Sequence, residues 1–357
     1  MNLFRPNIQK MTGYTPGKQP KGGGFVKLNT NENPYPPSPK VIAAIKHAAC
    51  ETLRLYPDPL ATAAREKAAA VLGVKPAQVL MGNGSDDLLT MIIRAFVGPG
   101  DKVAFPYPTY SLYDVLVKIQ DGISCPVDFP DDYSLPNNIV VKGAKVTFIA
   151  NPNAPSGTMI HASELSDLAE RVSGALVIDE AYVDFADFNC LHLVNRHPNV
   201  ILLRTLSKSY SLAGIRSGFA VSTEEIIAGL MKVKDSYNVD RLGMVATLAA
   251  LDDVKRMRRN AEKIKASRSC LTEALVNLGF AVYPSESNFV LAKCPRWLDA
   301  EATYEDLERR RILVRYFKQR MVDDCLRITV GTPREINALL KALAEITGPF
   351  APKPSRK

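Results

Sequence analysis

Between about residue 40 and residue 250 the chain alternates short apolar runs, each closed by turn-forming residues, with segments of helical period. That alternation leaves few folds open. A strand followed by a helix returns to a parallel neighbour, and helices then cover both faces of the sheet. The apolar runs predict strands at residues 79–81, 102–105, 146–150, 175–178, 201–205 and 218–221. The fold class is therefore α/β, with a largely parallel sheet and flanking helices. After about residue 250 the pattern changes to a long charged helix over 252–278, strands at 289–291, 312–315 and 326–330, and a closing helix from about 333. A smaller α+β domain follows from that change. Residues 1–40, with Gly22-Gly23-Gly24 and Asn33-Pro34-Tyr35-Pro36-Pro37, carry no period and predict an extended arm. The expected organisation is an arm over 1–40, a large domain over 41–250 and a small domain over 251–357.

A chain of 357 residues with 46% hydrophobic residues has enough apolar surface to bury a sizeable core. Its net charge of +8 is scattered, and the one dense cluster, Lys353, Arg356 and Lys357, reads as a solvated end, so no nucleic-acid partner is expected. No apolar run is long enough to span a membrane, and Arg5, Lys10 and Lys18 interrupt any signal-peptide core, which predicts a cytoplasmic protein. Cys50, Cys125, Cys190, Cys270, Cys294 and Cys325 form no CxxC pair and read as reduced thiols. His47, His161, His192 and His197 show no metal-binding spacing, so no metal is expected.

Ligands of open α/β sheets bind at the carboxyl ends of strands, so the residues just after each strand carry the functional signal. The first strand is followed by Gly82-Asn83-Gly84-Ser85-Asp86-Asp87 and an apolar helix with Ser85 or Asp86 as N-cap. Glycines before a helix N-terminus present free N–H groups to a phosphate. Taken alone such a turn is more often only a turn, and it lacks the GxGxxG and GxxxxGK[ST] patterns of nicotinamide and ATP sites. Later strands end at Pro106-Tyr107-Pro108-Thr109-Tyr110, at Asn151 to Gly157, and at Asp179-Glu180-Ala181-Tyr182. Each is an ordinary strand end by itself; their coincidence on one edge is what points to a site. The strand at 201–205 then delivers Ser207-Lys208, with Arg216 eight residues on. An isolated lysine is most simply a solvated charge. A lysine brought to a cleft beside an acid and an arginine suits a Schiff-base nucleophile.

These residues resemble the pyridoxal-phosphate-dependent aminotransferases of the aspartate-aminotransferase (type I) fold, and most closely the histidinol-phosphate aminotransferase family. Leu28 to Tyr35, Leu55 to Asp58, Gly82 to Asp86, Val177 to Phe185, Thr205 to Arg216, Val233 to Val239 and Leu326 to Thr332 carry the resemblance in order along nearly the whole chain. It implies pyridoxal 5′-phosphate held as a Schiff base on Lys208, which also moves the proton. Asp179 is implied at the pyridine nitrogen, Tyr182 at the phenolic oxygen and Tyr110 on the ring face. Gly84, Ser85, Ser207 and Arg216 are implied at the phosphate, and Asp86 is implied among the other cofactor-binding residues. One departure stands out: Ala154 occupies the place of the family's ring-oxygen asparagine, and the role is assigned to Asn153. Asp87 stands where the family often has glutamate. Arg327, Arg315, Tyr14 and Tyr56 are implied at the substrate, with Tyr56 reaching into a neighbouring subunit's site, which implies a homodimer with shared active sites.

The implied reaction moves an amino group between L-histidinol phosphate and 2-oxoglutarate, giving imidazole acetol phosphate and L-glutamate, a step of histidine biosynthesis. An aromatic amino-acid aminotransferase on the same scaffold and a decarboxylase of a phosphorylated amino acid are the enzymatic rivals. A binding module that keeps the fold without catalysis is the rival from another class, and the intact Lys208, Asp179 and Arg216 argue against it.

Overall fold

The computed structural model describes residues 3–348; the basic cluster of Lys353, Arg356 and Lys357 lies outside the described residues. Thirteen strands are seen among them. They are β1 (Val26–Lys27), β2 (Val79–Gly82), β3 (Lys102–Tyr107), β4 (Ile123–Asp128), β5 (Ala144–Ala150), β6 (Ala175–Asp179), β7 (Val200–Thr205) and β8 (Gly218–Val221), followed by β9 (Ala281–Val282), β10 (Phe289–Lys293), β11 (Ile312–Leu313), β12 (Arg315–Tyr316) and β13 (Cys325–Thr329).

Seven strands form the main sheet in the order β2-β8-β7-β6-β5-β3-β4. The five from β7 to β4 run parallel, and β8 alone opposes both its neighbours. Both faces of this sheet are covered, which is why its central strands are apolar throughout rather than alternating. In β6 and β7 the side chains of Val177, Ile201 and Leu203 join one core with the helices Ser85–Phe96 and Leu112–Ile119. Leu176, Ile178, Val200 and Leu202 join the opposite core with the helix Ala162–Arg171. Each fully buried side chain of this kind contributes about 1.5–3 kcal/mol relative to exposure. Three helices, Pro39–Ala48, Thr62–Leu72 and Arg241–Leu251, pack on the β2–β8 end through Val79, Met81 and Phe219.

The smaller antiparallel sheet has the order β12-β13-β10-β9 and packs its apolar face on the helices Val254–Asn277 and Pro333–Thr347. The run expected as one strand at 312–315 serves two sheets. Ile312 and Leu313 pair in parallel with Val26 and Lys27, while Arg315 and Tyr316 pair with β13. The first forty residues are accordingly not wholly without structure, since they hold β1 and a short helix, Pro6–Lys10. The strand β4 was not expected either. It lies at the sheet edge, half exposed, with Pro126 inside it, and both features weaken the apolar signal.

Where the strands end, the backbone is drawn in tightly. Gly218 pairs with both Thr205 and Gly82, and a Cβ there would stand 2.8 Å from the Arg204 carbonyl and 2.9 Å from the Ser85 amide. Only glycine lets β8 bring the two neighbouring strand ends, and the helix that starts at Ser85, to one place.

Candidate active site

A cavity of about 260 Å³ opens where β3, β5, β6 and β7 end, and the smaller sheet closes it from the other side. Its floor is Asp179, the last residue of β6 and only 5% exposed. The Tyr113 hydroxyl donates to Oδ2 at 2.9 Å and the Ala181 amide to Oδ1 at 3.1 Å. Tyr113 is itself buried, its ring stacked on Phe148 with centroids 4.6 Å apart. Burial pushes the Asp179 carboxyl up to about 6, and the two hydrogen bonds pull against it. A carboxylate so placed demands a cationic partner in the cavity.

Lys208 enters the same cavity three residues after β7 ends, with Nζ 5.7 Å from the centroid of the Tyr182 ring. Its loop is held from both sides. Asn33 Nδ2 donates to the carbonyls of Lys208 and Ser209 at 3.0 and 3.1 Å. The Ser209 hydroxyl donates to Asp184, and Asp184 lies 3.6 Å from Arg204, which pairs at 2.6 Å with the fully buried Glu180. Behind the lysine there is thus a buried ionic network.

The other end of the cavity is built to take an anion. The helix Ser85–Phe96 begins at Gly84 with no side chain capping it, so its first N–H groups are free. Gly84 has φ 81° and ψ 171°, and a Cβ there would come 2.5 Å from Arg216 Nη2. Arg216, in the left-handed region at φ 57°, donates to Ser207 Oγ at 3.4 Å and to Asp86 Oδ2 at 3.0 Å. Asp86 also accepts the Tyr110 hydroxyl at 3.1 Å, and so ties the ring of Tyr110 to the arginine.

From the smaller sheet come Arg315 and Arg327, register partners on β12 and β13. Like charges directly opposite one another repel. Arg327 Nη2 donates to the Asn29 carbonyl at 2.9 Å, but its buried Nε has no protein partner. Burial lowers its pKa from the ordinary arginine value, and Arg315 adds to the effect. The guanidinium lies 5.3 Å from the ring centroids of both Phe289 and Phe317. Tyr14 completes this wall, edge-on to Tyr110 at 5.9 Å, and burial raises its hydroxyl pKa.

The cavity thus brings together Tyr14, Ser85, Asp86, Tyr110, Asp179, Tyr182, Ser207, Lys208, Arg216, Arg315 and Arg327, with Gly84 just behind Arg216. Two expected residues lie elsewhere. Tyr56 is 78% exposed and stacks on Tyr237 at 4.5 Å, away from this chain's own cavity. Asn153 is a correction. Its Nδ2 donates to the Pro108 carbonyl and to Ser156 Oγ, and its Oδ1 accepts from Thr109, so its amide holds the turn and Ala154 takes the cavity wall. Sequence reasoning missed Tyr113 and Asn31. The first stands in the opening turn of the helix Leu112–Ile119, three residues after Tyr110, and the second lies within the Leu28 to Tyr35 motif, where its residue type alone does not single it out.

Residues 24–343 match the family model for aminotransferase class I and II, and the chain is an aminotransferase of that class. The histidinol-phosphate aminotransferase 1 of Trichormus variabilis is 46% identical over 347 residues, 97% of this chain and 99% of that one. The histidinol-phosphate aminotransferase of Geotalea daltonii is 45% identical over 97% of this chain and 100% of its own length. Among solved structures, the histidinol-phosphate aminotransferase of Sinorhizobium meliloti in complex with pyridoxal-5′-phosphate matches with a TM-score of 0.89 at 29% identity, covering 98% of this chain and 99% of that one. Within its class, this chain belongs to the histidinol-phosphate aminotransferase family.

Proposed function

We propose that the chain exchanges an amino group between L-histidinol phosphate and 2-oxoglutarate, with pyridoxal 5′-phosphate bound at Lys208. The observation that carries the substrate reading is the pair Arg315 and Arg327, facing one another across adjacent strands on the wall of the cavity that Lys208 enters. An arginine fork binds a carboxylate or a phosphate equally well, which suits a site that must take glutamate and a phosphate monoester in turn.

The residues present fit the cofactor. The buried acid Asp179 lacks a cation, the start of the helix Ser85–Phe96 has no side-chain cap, and Gly84 leaves the room in which the Arg216 guanidinium lies against that helix start, ion-paired among the described residues only with the half-exposed Asp86. Bound pyridoxal phosphate supplies an electron-poor ring that takes up negative charge from the substrate carbon. Asp179 holds the proton on the pyridine nitrogen that keeps the ring electron-poor. Lys208 Nζ removes the proton from the amine-bearing carbon of the substrate and returns it on the other side of the exchange. Tyr182 donates its hydroxyl proton to the phenolic oxygen. Tyr110 fixes the plane of the ring, while Ser85, Ser207 and Arg216 hold the phosphate.

A homodimer accompanies this reading. Ile42, Leu53, Leu55, Tyr56, Leu60 and Tyr237 are large apolar side chains left exposed on the single chain, which supports a second copy covering them, and the family resemblance implies that Tyr56 then serves the neighbour's cavity. Six unpaired cysteines agree with a cytoplasmic enzyme.

Steady-state rates test the substrate. The expected kcat/KM with L-histidinol phosphate exceeds that with phenylalanine, because a phosphate monoester offers the Arg315 and Arg327 pair more charge and one more acceptor oxygen than a carboxylate does. A preference for phenylalanine overturns the substrate, and release of carbon dioxide without need of an oxo acid overturns the reaction. Borohydride reduction should fix the cofactor to the wild-type polypeptide and not to Lys208→Ala.

A further inference from the structure

A tyrosine hydroxyl has one proton to give, and where it goes depends on what else the oxygen accepts. Tyr182 receives its hydrogen bond from a residue 151 positions earlier in the chain: Asn31 Nδ2 donates to the Tyr182 hydroxyl at 3.0 Å. Asn31 is 1% exposed, lines the cavity, and sits in the left-handed region at φ 57°. Asparagine is one of the few residue types that reach that conformation readily, because its short amide can bond locally.

Here the surroundings also fix which way the amide points. The backbone N–H of Asn31 donates to Thr329 Oγ1 at 2.9 Å, so the Thr329 hydroxyl must send its own proton elsewhere. It sends it to Asn31 Oδ1, at 3.0 Å. In this arrangement the amide oxygen faces Thr329 and the NH₂ group faces Tyr182, and each group has a partner of the right kind. Asn288 Nδ2, donating to the Asn31 carbonyl at 2.9 Å, locks the backbone on the remaining side. Since an NH₂ group only donates, the Tyr182 oxygen must accept, and its proton is free to point into the cavity. Among the described residues the Tyr182 hydroxyl has no other hydrogen-bond partner. Ala154, Pro152 and Pro155 on the cavity wall bring no side-chain donor of their own.

We propose that Asn31 is a positioning residue that aims the Tyr182 proton at the phenolic oxygen of the bound cofactor and thereby sets the pH at which the bound chromophore changes its absorbance. The inference rests on the pyridoxal phosphate reading of the site. A hydrogen bond donated to the phenolic oxygen stabilises its anionic form and weakens its hold on the adjacent proton. The chain from amide N–H to hydroxyl to cofactor oxygen polarises each link in the same direction. Breaking the first link leaves Tyr182 a weaker and less directed donor, so the pH midpoint rises.

The experiment is a pH titration of the visible absorbance of the cofactor-loaded protein. Asn31→Ala should raise proton affinity about three- to tenfold, the equivalent of one net hydrogen bond. Asn31→Ala in a Tyr182→Phe background should leave the midpoint of that background where it is. Thr329→Val, which frees the amide to turn its oxygen towards Tyr182, should shift the midpoint in the same direction and again only when Tyr182 is present; it carries the test if Asn31→Ala is too unstable to isolate. A midpoint that ignores these substitutions, or moves equally with and without the Tyr182 hydroxyl, overturns the proposal while leaving the site reading intact. A wild-type protein that shows no visible band with pyridoxal phosphate overturns both.

Discussion

Asp179 should make the cofactor-free protein lose stability as the solution becomes less acidic, and the size of the loss follows from its burial. The carboxyl titrates at about 6 in the folded protein against 3.8 when exposed. At about 1.4 kcal/mol per pH unit the difference is on the order of 3 kcal/mol. Because the folded value is raised, the contribution is fully present below about pH 3.8 and lost as pH rises through about 6. Nearly half of it, roughly 1.4 kcal/mol, should disappear between about pH 5 and 7.5, a window that spares most other carboxylates. Urea unfolding of protein freed of cofactor, repeated across that window, measures the change from the midpoint at constant slope. Asp179→Asn, which does not titrate, should flatten it by that amount. Bound pyridoxal phosphate should flatten it too, because the protonated ring nitrogen supplies the missing cation. If Asp179→Asn unfolds with the same pH dependence as the wild type, the carboxyl is not held near neutrality and its assigned role at the ring nitrogen loses its basis.

Two other perturbations probe the surroundings of Lys208. Arg204→Met strands the fully buried Glu180 without its 2.6 Å partner and should cost about 3–5 kcal/mol of unfolding free energy by urea titration, most of it recovered in the Glu180→Gln/Arg204→Met double variant. Equal losses in the single and double variants would show that the charge is not the cause. Gly84→Ala places a methyl group where φ 81° and ψ 171° suit glycine alone and 2.5 Å from Arg216, so stability should fall by about 1–3 kcal/mol. Retention of pyridoxal phosphate on dialysis should fall with it, and full retention would remove Arg216 from the phosphate.

Much of the main sheet was legible because its central strands are buried on both faces. Residues such as Leu176 to Ile178 and Val200 to Leu203 read as unbroken apolar runs, closed by the turn residues that carry the chemistry. Edges and short pairings were not legible. Pro126 disguises β4, and β1 is two residues long, recognisable only once Ile312 and Leu313 lie beside it. The same divide runs through the site. Lys208, Asp179 and Arg216 stand out by residue type at strand ends, whereas Tyr113 and Asn31 matter through hydrogen bonds made only in the folded chain. Asn153 misled for the opposite reason, since its side chain is the right type at nearly the right place, yet the turn around Pro152 and Pro155 consumes its amide.

The pairing of β1 with β11 also fixes when the molecule can be finished. Val26 and Lys27 wait for Ile312 and Leu313, Asn29 for Arg327, and Asn31 for Thr329, so this segment finds its partners only after nearly three hundred further residues have been made. A product truncated before residue 312 holds all seven strands of the main sheet but lacks the strands that seat Asn29 and Asn31. Completion of the pocket therefore needs segments 298 residues apart in the chain to be present together, and a copy that lacks the later one cannot offer a functioning imitation of it.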